Sequence, residues 1–366
     1  MSFDTRFIRQ HIQELPPYHP VYPFDVLAEE LGLPANQLIK LDANENPYGP
    51  LPEVLDGLAS MDDVQIYPDP ECRKIKNLLA SHHDVDPNSI VIGAGTDELI
   101  DLLMRIVLDP GDNLLNCPPT FGMYYFDGQL NKANLITVPR NADFSLDVEG
   151  VIQAIENYEP KILILASPNN PDGSLLSRDD FERLAALPLL LVIDEAYIEF
   201  ATPGSSFLDQ VAGRSNIIVL RTFSKWAGLA GLRIGYGVFP LEMVPFIMKA
   251  KQPYNVSTAA ETAGIVTIRN ISKTKSRIEK IIRQREYLYH ELGAINWLKP
   301  YPSEANFVLC QVQQGSASRI KDELRKQGIL IRYFDRPGLS DHIRISIGTE
   351  DQNKQVLTAL QGGKIR

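Results

Sequence analysis

The sequence predicts an α/β fold built on a mostly parallel sheet, with a smaller α+β domain beside it. Three observations predict it. Short apolar runs alternate with helix-length amphipathic stretches from about residue 89, polar residues follow most of these runs, and the pattern changes after about residue 270. Strands that are apolar along their whole length are typical of a parallel sheet covered by helices on both faces.

The first 50 residues predict an irregular arm, because they are unusually rich in proline. The prolines are Pro16, Pro17, Pro20, Pro23, Pro34, Pro47 and Pro50. We expect residues 1–45 to form this arm and part of the small domain. Residues 46–270 are then the large α/β domain, and residues 271–366 are the small α+β domain.

Five apolar runs are the predicted strands of the large domain, and they cover residues 89–92, 114–117, 162–166, 189–193 and 217–220. In the small domain, a long charged helix closed by Gly293 precedes three short strands. Those strands are NFVLCQV, ILIRY and HIRISIG, with helical stretches around 316–327 and from 350. This order of elements is typical of an α+β unit.

Composition excludes several classes of protein. The chain has 366 residues and a net charge of −10, so it lacks the basic surface that nucleic-acid or anionic-membrane binding requires. Cys72, Cys117 and Cys310 are widely spaced and odd in number, which predicts free thiols in a reducing compartment. The N-terminus has no apolar signal core and no apolar stretch approaches 18 residues, so we expect a soluble cytoplasmic protein.

Candidate site residues lie where the predicted parallel strands end, because ligands of open α/β sheets bind at the carboxyl ends of the strands. These residues are Gly95, Thr96, Asp97, Phe121, Tyr124, Asn170, Asp194, Tyr197, Thr222, Ser224 and Lys225. Loops that follow successive parallel strands converge in space. The sequence therefore predicts that these side chains line one cleft.

Lys225 follows an apolar strand and a Thr-Phe-Ser turn, and a small apolar segment comes after it. Taken alone, a lysine there is either an exposed turn residue or a Schiff-base amine in a partly desolvated pocket. Arg233 follows eight residues later, either in the same pocket or in a surface ion pair. Asp194 ends a very apolar strand, where a carboxylate is either a cap or the partner of a buried cation such as a protonated ring nitrogen.

The segment GAGTDE offers backbone N–H groups at a helix N-terminus, which favours phosphate binding. It lacks the third glycine of GxGxxG, and the glycines of GLAGLRIG have the wrong spacing, so a dinucleotide-binding dehydrogenase is disfavoured. The pair His82-His83 has no second group of ligands nearby and is interpreted as surface. We expect no metal site.

Ten segments in order resemble the fold-type I aminotransferases that depend on pyridoxal 5′-phosphate (PLP), class II, and most closely the histidinol-phosphate aminotransferase family. The segments are LDANENPYGP, YPDP, GAGTDELI, CPPTFGMY, SPNNPDG, VIDEAYIEF, TFSKWAGLAGLRIGYG, PYNVS, SEANFVL and IRISIGT. They run nearly end to end. The resemblance implies the PLP-transferase type I fold and PLP as cofactor.

The resemblance also implies roles for the cofactor residues. Lys225 is expected to hold PLP as a Schiff base and to move the substrate proton, and Asp194 to pair with the ring nitrogen. Asn170 and Tyr197 are expected to hydrogen-bond the 3-oxygen of the ring, and Phe121, with Tyr124 close by, to stack on it. The expected phosphate contacts come from the Gly95, Thr96 and Asp97 segment, from Thr222, Ser224 and Arg233, and from Tyr67 of the partner subunit in a homodimer.

For the substrates, the resemblance implies L-histidinol phosphate and 2-oxoglutarate, which is converted to glutamate, in a ping-pong reaction. Arg344 in HIRISIG is the implied carboxylate-binding arginine, and Arg332 in ILIRY favours a phosphorylated substrate. The other implied substrate residues are Tyr18, Asn46, Asn170, Tyr254 and Asn255. The sequence does not divide phosphate and carboxylate between the two arginines.

Two residues depart from the family pattern. Asp172 stands in SPNNPDG where threonine is common, and Phe121 stands where tyrosine is common. Both are expected to influence substrate preference rather than the chemistry. The competing hypotheses are an aromatic-amino-acid aminotransferase and a threonine-phosphate decarboxylase on the same scaffold. A PLP-binding domain of a transcription regulator is disfavoured, because the N-terminal segment is too short and proline-rich for a helix-turn-helix.

Overall fold

The structure is a computed structural model, and it describes residues 3–17 and 21–362. Its strands are β1 (Ile39–Leu41), β2 (Ile90–Gly93), β3 (Asn113–Asn116), β4 (Asn134–Thr137), β5 (Ile162–Ala166), β6 (Leu190–Asp194), β7 (Ile217–Thr222), β8 (Gly235–Val238), β9 (Leu298–Pro300), β10 (Phe307–Val312), β11 (Ile329–Tyr333) and β12 (His342–Ser346).

The α-helices of the described residues are α1 (Gln10–Gln13), α2 (Phe24–Leu31), α3 (Pro52–Ala59), α4 (Arg73–His83), α5 (Thr96–Val107), α6 (Gly122–Leu130), α7 (Val148–Tyr158), α8 (Arg178–Ala185), α9 (Val244–Ala250), α10 (Thr258–Arg269), α11 (Ile271–Gly293), α12 (Ala317–Lys326) and α13 (Glu350–Gln361). The long charged helix, α11, ends at Gly293 as expected. In the described part of the chain, no helix is both long and apolar enough to cross a membrane.

The large sheet has seven strands in the order β2-β8-β7-β6-β5-β3-β4. The five strands from β3 to β7 run parallel, and β8 is antiparallel to both of its neighbours. The predicted α/β class and mostly parallel sheet are therefore confirmed. The sequence pattern missed β4 and β8, because β4 exposes both of its end residues and β8, with the sequence GYGV, does not form a long apolar run.

Both faces of the large sheet are buried. In β6, Leu191 and Ile193 belong to one apolar cluster and Val192 belongs to another. The first cluster includes residues of α7, α8 and α10, and the second includes residues of α5, α6 and α9. This alternation explains why the strands are continuously apolar, since each face meets its own layer of helices.

The small sheet has five strands in the order β1-β11-β12-β10-β9. β1 pairs parallel to β11, and the remaining pairs are antiparallel. The predicted strands of this unit, β10, β11 and β12, are present, and the three-residue strands β1 and β9 complete the sheet. β1 lies at one edge of the small sheet, and the loop that follows it contacts the turn after β7 of the large sheet, where the Ala43 carbonyl accepts a hydrogen bond from Lys225.

Candidate active site

A cleft of about 320 Å³ lies between the carboxyl ends of the large sheet and the β11–β12 hairpin. Its predicted members are Asp97, Phe121, Asn170, Tyr197, Lys225, Arg332 and Arg344. Its remaining lining residues are Val21, Asp42, Ala43, Asn44, Thr120, Gly122, Phe334 and Arg336. Five of the eleven predicted strand-end residues therefore line one cleft with the two arginines of the small sheet. The other six are not among its lining residues: Gly95, Thr96, Tyr124, Asp194, Thr222 and Ser224.

Lys225 is half-buried in the tight turn that follows β7. The Thr222 hydroxyl accepts a hydrogen bond from the Ser224 backbone N–H at 3.1 Å, and the Thr222 carbonyl accepts one from the Trp226 indole at 2.8 Å. These contacts fix the turn. The Lys225 amine donates to the Ala43 carbonyl at 3.1 Å, so it points across the cleft toward the loop after β1.

Asp194 is the last residue of β6 and is only 4% exposed. Its carboxylate accepts hydrogen bonds from the Tyr124 hydroxyl at 2.6 Å and from the Ala196 backbone N–H at 3.1 Å. Among the described residues no cation forms an ion pair with it. Burial raises the pKa of Asp194 to about 6, and a positive partner beside it would favour the ionised form.

The N-terminus of α5 forms a concave surface beside the cleft. Gly95 precedes this helix with a φ of +84°, and a Cβ at Gly95 would lie 2.6 Å from the Arg233 guanidinium. That guanidinium donates to the Asp97 carboxylate at 2.9 Å. The Thr96 hydroxyl donates to the Arg221 carbonyl at 3.3 Å, so the first turn of α5 is tied to β7. Backbone N–H groups and a guanidinium together suit a phosphate group.

Three consecutive carbonyls of the loop after β1 accept hydrogen bonds from other elements. The Asp42 carbonyl accepts from Arg344 at 2.8 Å, the Ala43 carbonyl from Lys225, and the Asn44 carbonyl from the Asn306 amide at 2.9 Å. Sequence reasoning did not select Asn44, although it lies in the segment LDANENPYGP. Its participation depends on contacts with β12, which the sequence pattern does not reveal.

The arginines of the small sheet stand side by side, since Arg332 and Arg344 are paired across β11 and β12. Arg344 is 5% exposed and donates to the Asn170 side-chain oxygen, with its guanidinium 5.1 Å from the centre of the Phe307 ring. Arg336, in the exposed turn between these strands, is a third cleft arginine that the sequence analysis missed. It lies against Gly122, where a Cβ would be 3.4 Å from the Arg336 guanidinium nitrogens.

Several predicted residues lie outside the cleft lining. The Asn46 amide donates to the Trp226 carbonyl at 2.9 Å, and the Asn255 amide donates to Glu98 at 2.6 Å. Tyr67 is 79% exposed and stacks on Tyr254 with ring centres 4.7 Å apart. Tyr18 lies outside the described residues.

The departure at Asp172 is explained by local structure. Its carboxylate is buried and accepts hydrogen bonds from the Asn169 amide and, at 2.9 Å, from the Ser174 backbone N–H. These two hydrogen bonds hold the SPNNPDG loop in its conformation. Asp172 is not among the residues lining the cleft. At the other departure, Phe121 lines the cleft and packs edge-on against Tyr124, with ring centres 5.5 Å apart.

The residues at this site fit PLP. The buried Asp194 carboxylate has no cation partner among the residues that the structure describes, and it suits a protonated ring nitrogen, as PLP enzymes require. The concave surface at Gly95 and Arg233 suits the cofactor phosphate. Lys225 presents a half-buried amine in the cleft, where a lysine can bind a carbonyl covalently.

Comparison with known proteins agrees with this chemistry. The family model for class I and II aminotransferases matches residues 36–360. Histidinol-phosphate aminotransferase of Roseiflexus castenholzii is 49% identical over 98% of both chains. A chloroplastic histidinol-phosphate aminotransferase of Arabidopsis thaliana is 45% identical over 99% of this chain and 87% of its own length.

A solved structure extends the comparison to the fold. Histidinol-phosphate aminotransferase of Sinorhizobium meliloti, in complex with PLP, superimposes with a TM-score of 0.89 at 30% identity. The match covers 99% of this chain and 98% of the other. The chain therefore belongs to the class I and II aminotransferases, in the histidinol-phosphate aminotransferase family, and is an enzyme that depends on PLP.

Proposed function

We propose that this enzyme transfers the amino group of L-histidinol phosphate to 2-oxoglutarate, giving imidazole-acetol phosphate and glutamate in histidine biosynthesis. The observation that carries the proposal is that Lys225 lines the same cleft as three arginines, Arg332, Arg336 and Arg344. Both proposed substrates are small anions, and arginine binds phosphate and carboxylate through paired N–H groups. The names of the similar proteins support the same substrate.

Lys225 is the proposed catalytic base. The bound cofactor supplies an electron sink for the substrate α-carbon, and Lys225 moves the proton between that carbon and C4′ of the cofactor. Asp194 keeps the ring nitrogen protonated. The hydrogen bond from Tyr124 to Asp194 holds the carboxylate in place for this partner.

The remaining cofactor contacts follow from position. Asn170 and Tyr197 line the cleft and are proposed to bind the 3-oxygen of the ring, with Phe121 packed on its face. The proposed phosphate site consists of the backbone of Gly95, Thr96 and Asp97 together with Thr222, Ser224 and Arg233. Gly95, Thr96 and Asp97 lie at the N-terminus of α5. Thr222 is the last residue of β7, and Ser224 and Arg233 lie in the segment between β7 and β8.

Arg332 and Arg344 are proposed to share the substrate anions, the phosphate in one half of the reaction and carboxylate in the other. Asn46, Tyr254 and Asn255 are proposed to form the outer layer of the substrate site. In this layer the Asn255 oxygen accepts from Lys251 at 2.7 Å, so its orientation is already fixed. Tyr18 remains a predicted substrate residue.

The enzyme is proposed to be a homodimer in which Tyr67 reaches the cofactor phosphate of the partner subunit. The exposure of Tyr67 and the neighbouring apolar side chains Val64 and Ile66 supports this, because exposed apolar groups mark interaction surfaces. The cytoplasmic location stays a prediction.

The test is a comparison of kcat/KM for amino transfer to 2-oxoglutarate from L-histidinol phosphate and from phenylalanine. Threonine phosphate is examined in parallel for release of carbon dioxide. We expect kcat/KM for L-histidinol phosphate to be at least about 100-fold higher than for phenylalanine, because phenylalanine has no phosphate to pair with the cleft arginines, and a missing partner of this kind costs about 2–3 kcal/mol. Equal or better use of phenylalanine, or rapid decarboxylation of threonine phosphate, would replace the proposed substrate with that alternative.

A further inference from the structure

A buried chain of hydrogen bonds leads from β12 to the hydroxyl of Tyr197. The Asn44 backbone N–H donates to the Ser346 hydroxyl oxygen at 2.9 Å, and that oxygen lies 2.8 Å from the Asn44 side-chain oxygen. The Asn44 side-chain nitrogen donates to the Tyr197 hydroxyl oxygen at 3.0 Å. Asn44 and Ser346 are 1% and 2% exposed, so water does not compete for their groups, and Tyr197 is 6% exposed.

As the Asn44 amide is oriented in the structure, the donors and acceptors of this chain run in one direction. The Ser346 oxygen already accepts a backbone N–H, so its own proton is free to bond the Asn44 oxygen. With its oxygen occupied in this way, the Asn44 amide turns its N–H₂ group to Tyr197. The Tyr197 oxygen is therefore an acceptor, and its own proton donates to none of the described residues.

Tyr197 lines the cleft, so a proton not used inside the protein is available to a ligand there. We propose that Asn44, oriented by Ser346, is a positioning residue that makes the Tyr197 hydroxyl donate its proton into the cleft, to the 3-oxygen of the cofactor. This inference rests on the proposed role of Tyr197. It adds that Ser346 of β12, in the small sheet, sets the direction of that hydrogen bond through Asn44.

The expected consequence is electrostatic. A hydrogen bond to the 3-oxygen withdraws negative charge from it and weakens its hold on the proton of the nitrogen that links Lys225 to the cofactor. The hydrogen bond therefore lowers the pKa of that linkage. If Asn44 is replaced by aspartate, a carboxylate oxygen faces Tyr197 and accepts its proton, so less of this donation reaches the cleft. The pKa of the linkage then rises.

The experiment is a spectrophotometric pH titration of the enzyme loaded with PLP. We compare the wild-type enzyme, Asn44→Asp, Ser346→Ala, Tyr197→Phe and the double variant Asn44→Asp/Tyr197→Phe. Asn44→Asp is expected to raise the pKa of the linkage by about one unit, the size of one charge-sensitive hydrogen bond. Ser346→Ala is expected to raise the pKa of the linkage by less. Without the Ser346 hydroxyl the Asn44 amide can flip, and its oxygen then accepts the Tyr197 proton in part of the molecules. The affinity for PLP, measured by equilibrium dialysis, serves as a second readout.

The double variant separates the two effects of the new carboxylate. Its charge acts on the linkage whether or not Tyr197 has a hydroxyl, whereas the change in donation needs that hydroxyl. The proposal requires the shift caused by Asn44→Asp to fall by at least half in the Tyr197→Phe background. An equal shift in both backgrounds, or a wild-type pKa in Ser346→Ala, overturns it.

Ser346→Ala adds no charge and keeps the proposal testable if Asn44→Asp does not fold. A wild-type enzyme that shows no Lys225–PLP absorbance band would contradict the proposed function instead. The two failures are therefore distinguishable.

Discussion

Lys225 combines three properties that the proposed chemistry needs in a single amine. It is half-buried, it follows a strand of the large sheet, and its only described polar contact is a backbone carbonyl, that of Ala43. A carbonyl contact holds the amine in place without pairing it with a carboxylate. The lysine is therefore positioned and still available to a ligand in the cleft.

Replacement of Lys225 by alanine is expected to lower kcat for amino transfer by at least about 1,000-fold, because both the covalent attachment of PLP and the proton transfer are lost. The absorbance band of the lysine–PLP linkage disappears with it. Lys249→Ala, which removes an exposed lysine of α9, is the matched control and keeps both signals. Substantial turnover by Lys225→Ala would contradict the proposed mechanism.

Asp194 illustrates a cost that the site carries when the cofactor is absent. Burial raises the pKa of its carboxyl from 3.8 to about 6, so the folded protein keeps a proton that the unfolded chain has already lost. Between these pH values the unfolded chain binds fewer protons than the folded one. The free energy of unfolding of the cofactor-free protein therefore falls as the pH rises from about 4 to 6.

Asp194→Asn is expected to remove this cost. The cofactor-free variant should be more stable than the wild-type protein at pH 7, by about 1–3 kcal/mol, and this advantage should vanish near pH 4. Its affinity for PLP should fall at least about tenfold, since the ring nitrogen loses its anionic partner. Urea unfolding at the two pH values and equilibrium dialysis with PLP measure both effects. A variant that is less stable at pH 7 would show that the carboxylate has a cation partner or is well solvated.

At the scale of elements, the β11–β12 hairpin gives the cleft its positive charge. It contributes Arg332, Arg344 and, from its turn, Arg336. The two acidic residues of the cleft are already paired, Asp42 with Lys40 at 3.2 Å and Asp97 with Arg233 at 2.9 Å. The hairpin therefore faces the substrate with cations that these carboxylates do not neutralise.

Arg336→Ala is expected to raise KM for L-histidinol phosphate about 3–10-fold, with a smaller effect on phenylalanine, because this exposed guanidinium contributes mainly to the attraction of a phosphate dianion. The effect should diminish at high ionic strength. Arg319→Ala, an exposed arginine on α12 in the same small unit, is the control and leaves both KM values unchanged. If the two substrates were affected equally, Arg336 would have no role in selecting the phosphate.

How much of the site the sequence predicts depends on which element carries each residue. Asp194 and Lys225 follow apolar strands, and a strand end in a parallel sheet has a known place, so their convergence was predictable. Asn44 and Arg336 lie in loops whose positions depend on how the small sheet packs. β1 has only three residues, and its pairing with β11 joins segments almost 300 residues apart. No local pattern encodes such a contact.

At the scale of the whole molecule, the exposed surface around Tyr67 is the feature that a single chain leaves unexplained. Tyr67 and Tyr254 stack on each other while 79% and 45% exposed, and Leu55, Val64 and Ile66 are also exposed. In the proposed homodimer this surface would be covered, and Tyr67 would reach the neighbouring site. Each site would then need residues from two chains. Two chains that carry different defects could therefore still form one complete site, if each chain supplies the residue that the other lacks.

Mixing two defective variants tests this arrangement. Lys225→Ala should be inactive, and Tyr67→Ala should bind PLP about tenfold more weakly because a hydrogen bond to the cofactor phosphate is lost. A mixed dimer contains one site with an intact Lys225 from one chain and an intact Tyr67 from the other. After the two variants are unfolded together and refolded, random pairing should restore up to about a quarter of the wild-type sites.

Activity is measured at a PLP concentration that leaves Tyr67→Ala mostly empty, beside an identically treated mixture of Lys225→Ala and wild-type enzyme. Light scattering should give twice the mass of one chain. No gain over the separate variants, or a monomeric mass, would mean that Tyr67 serves its own subunit or none.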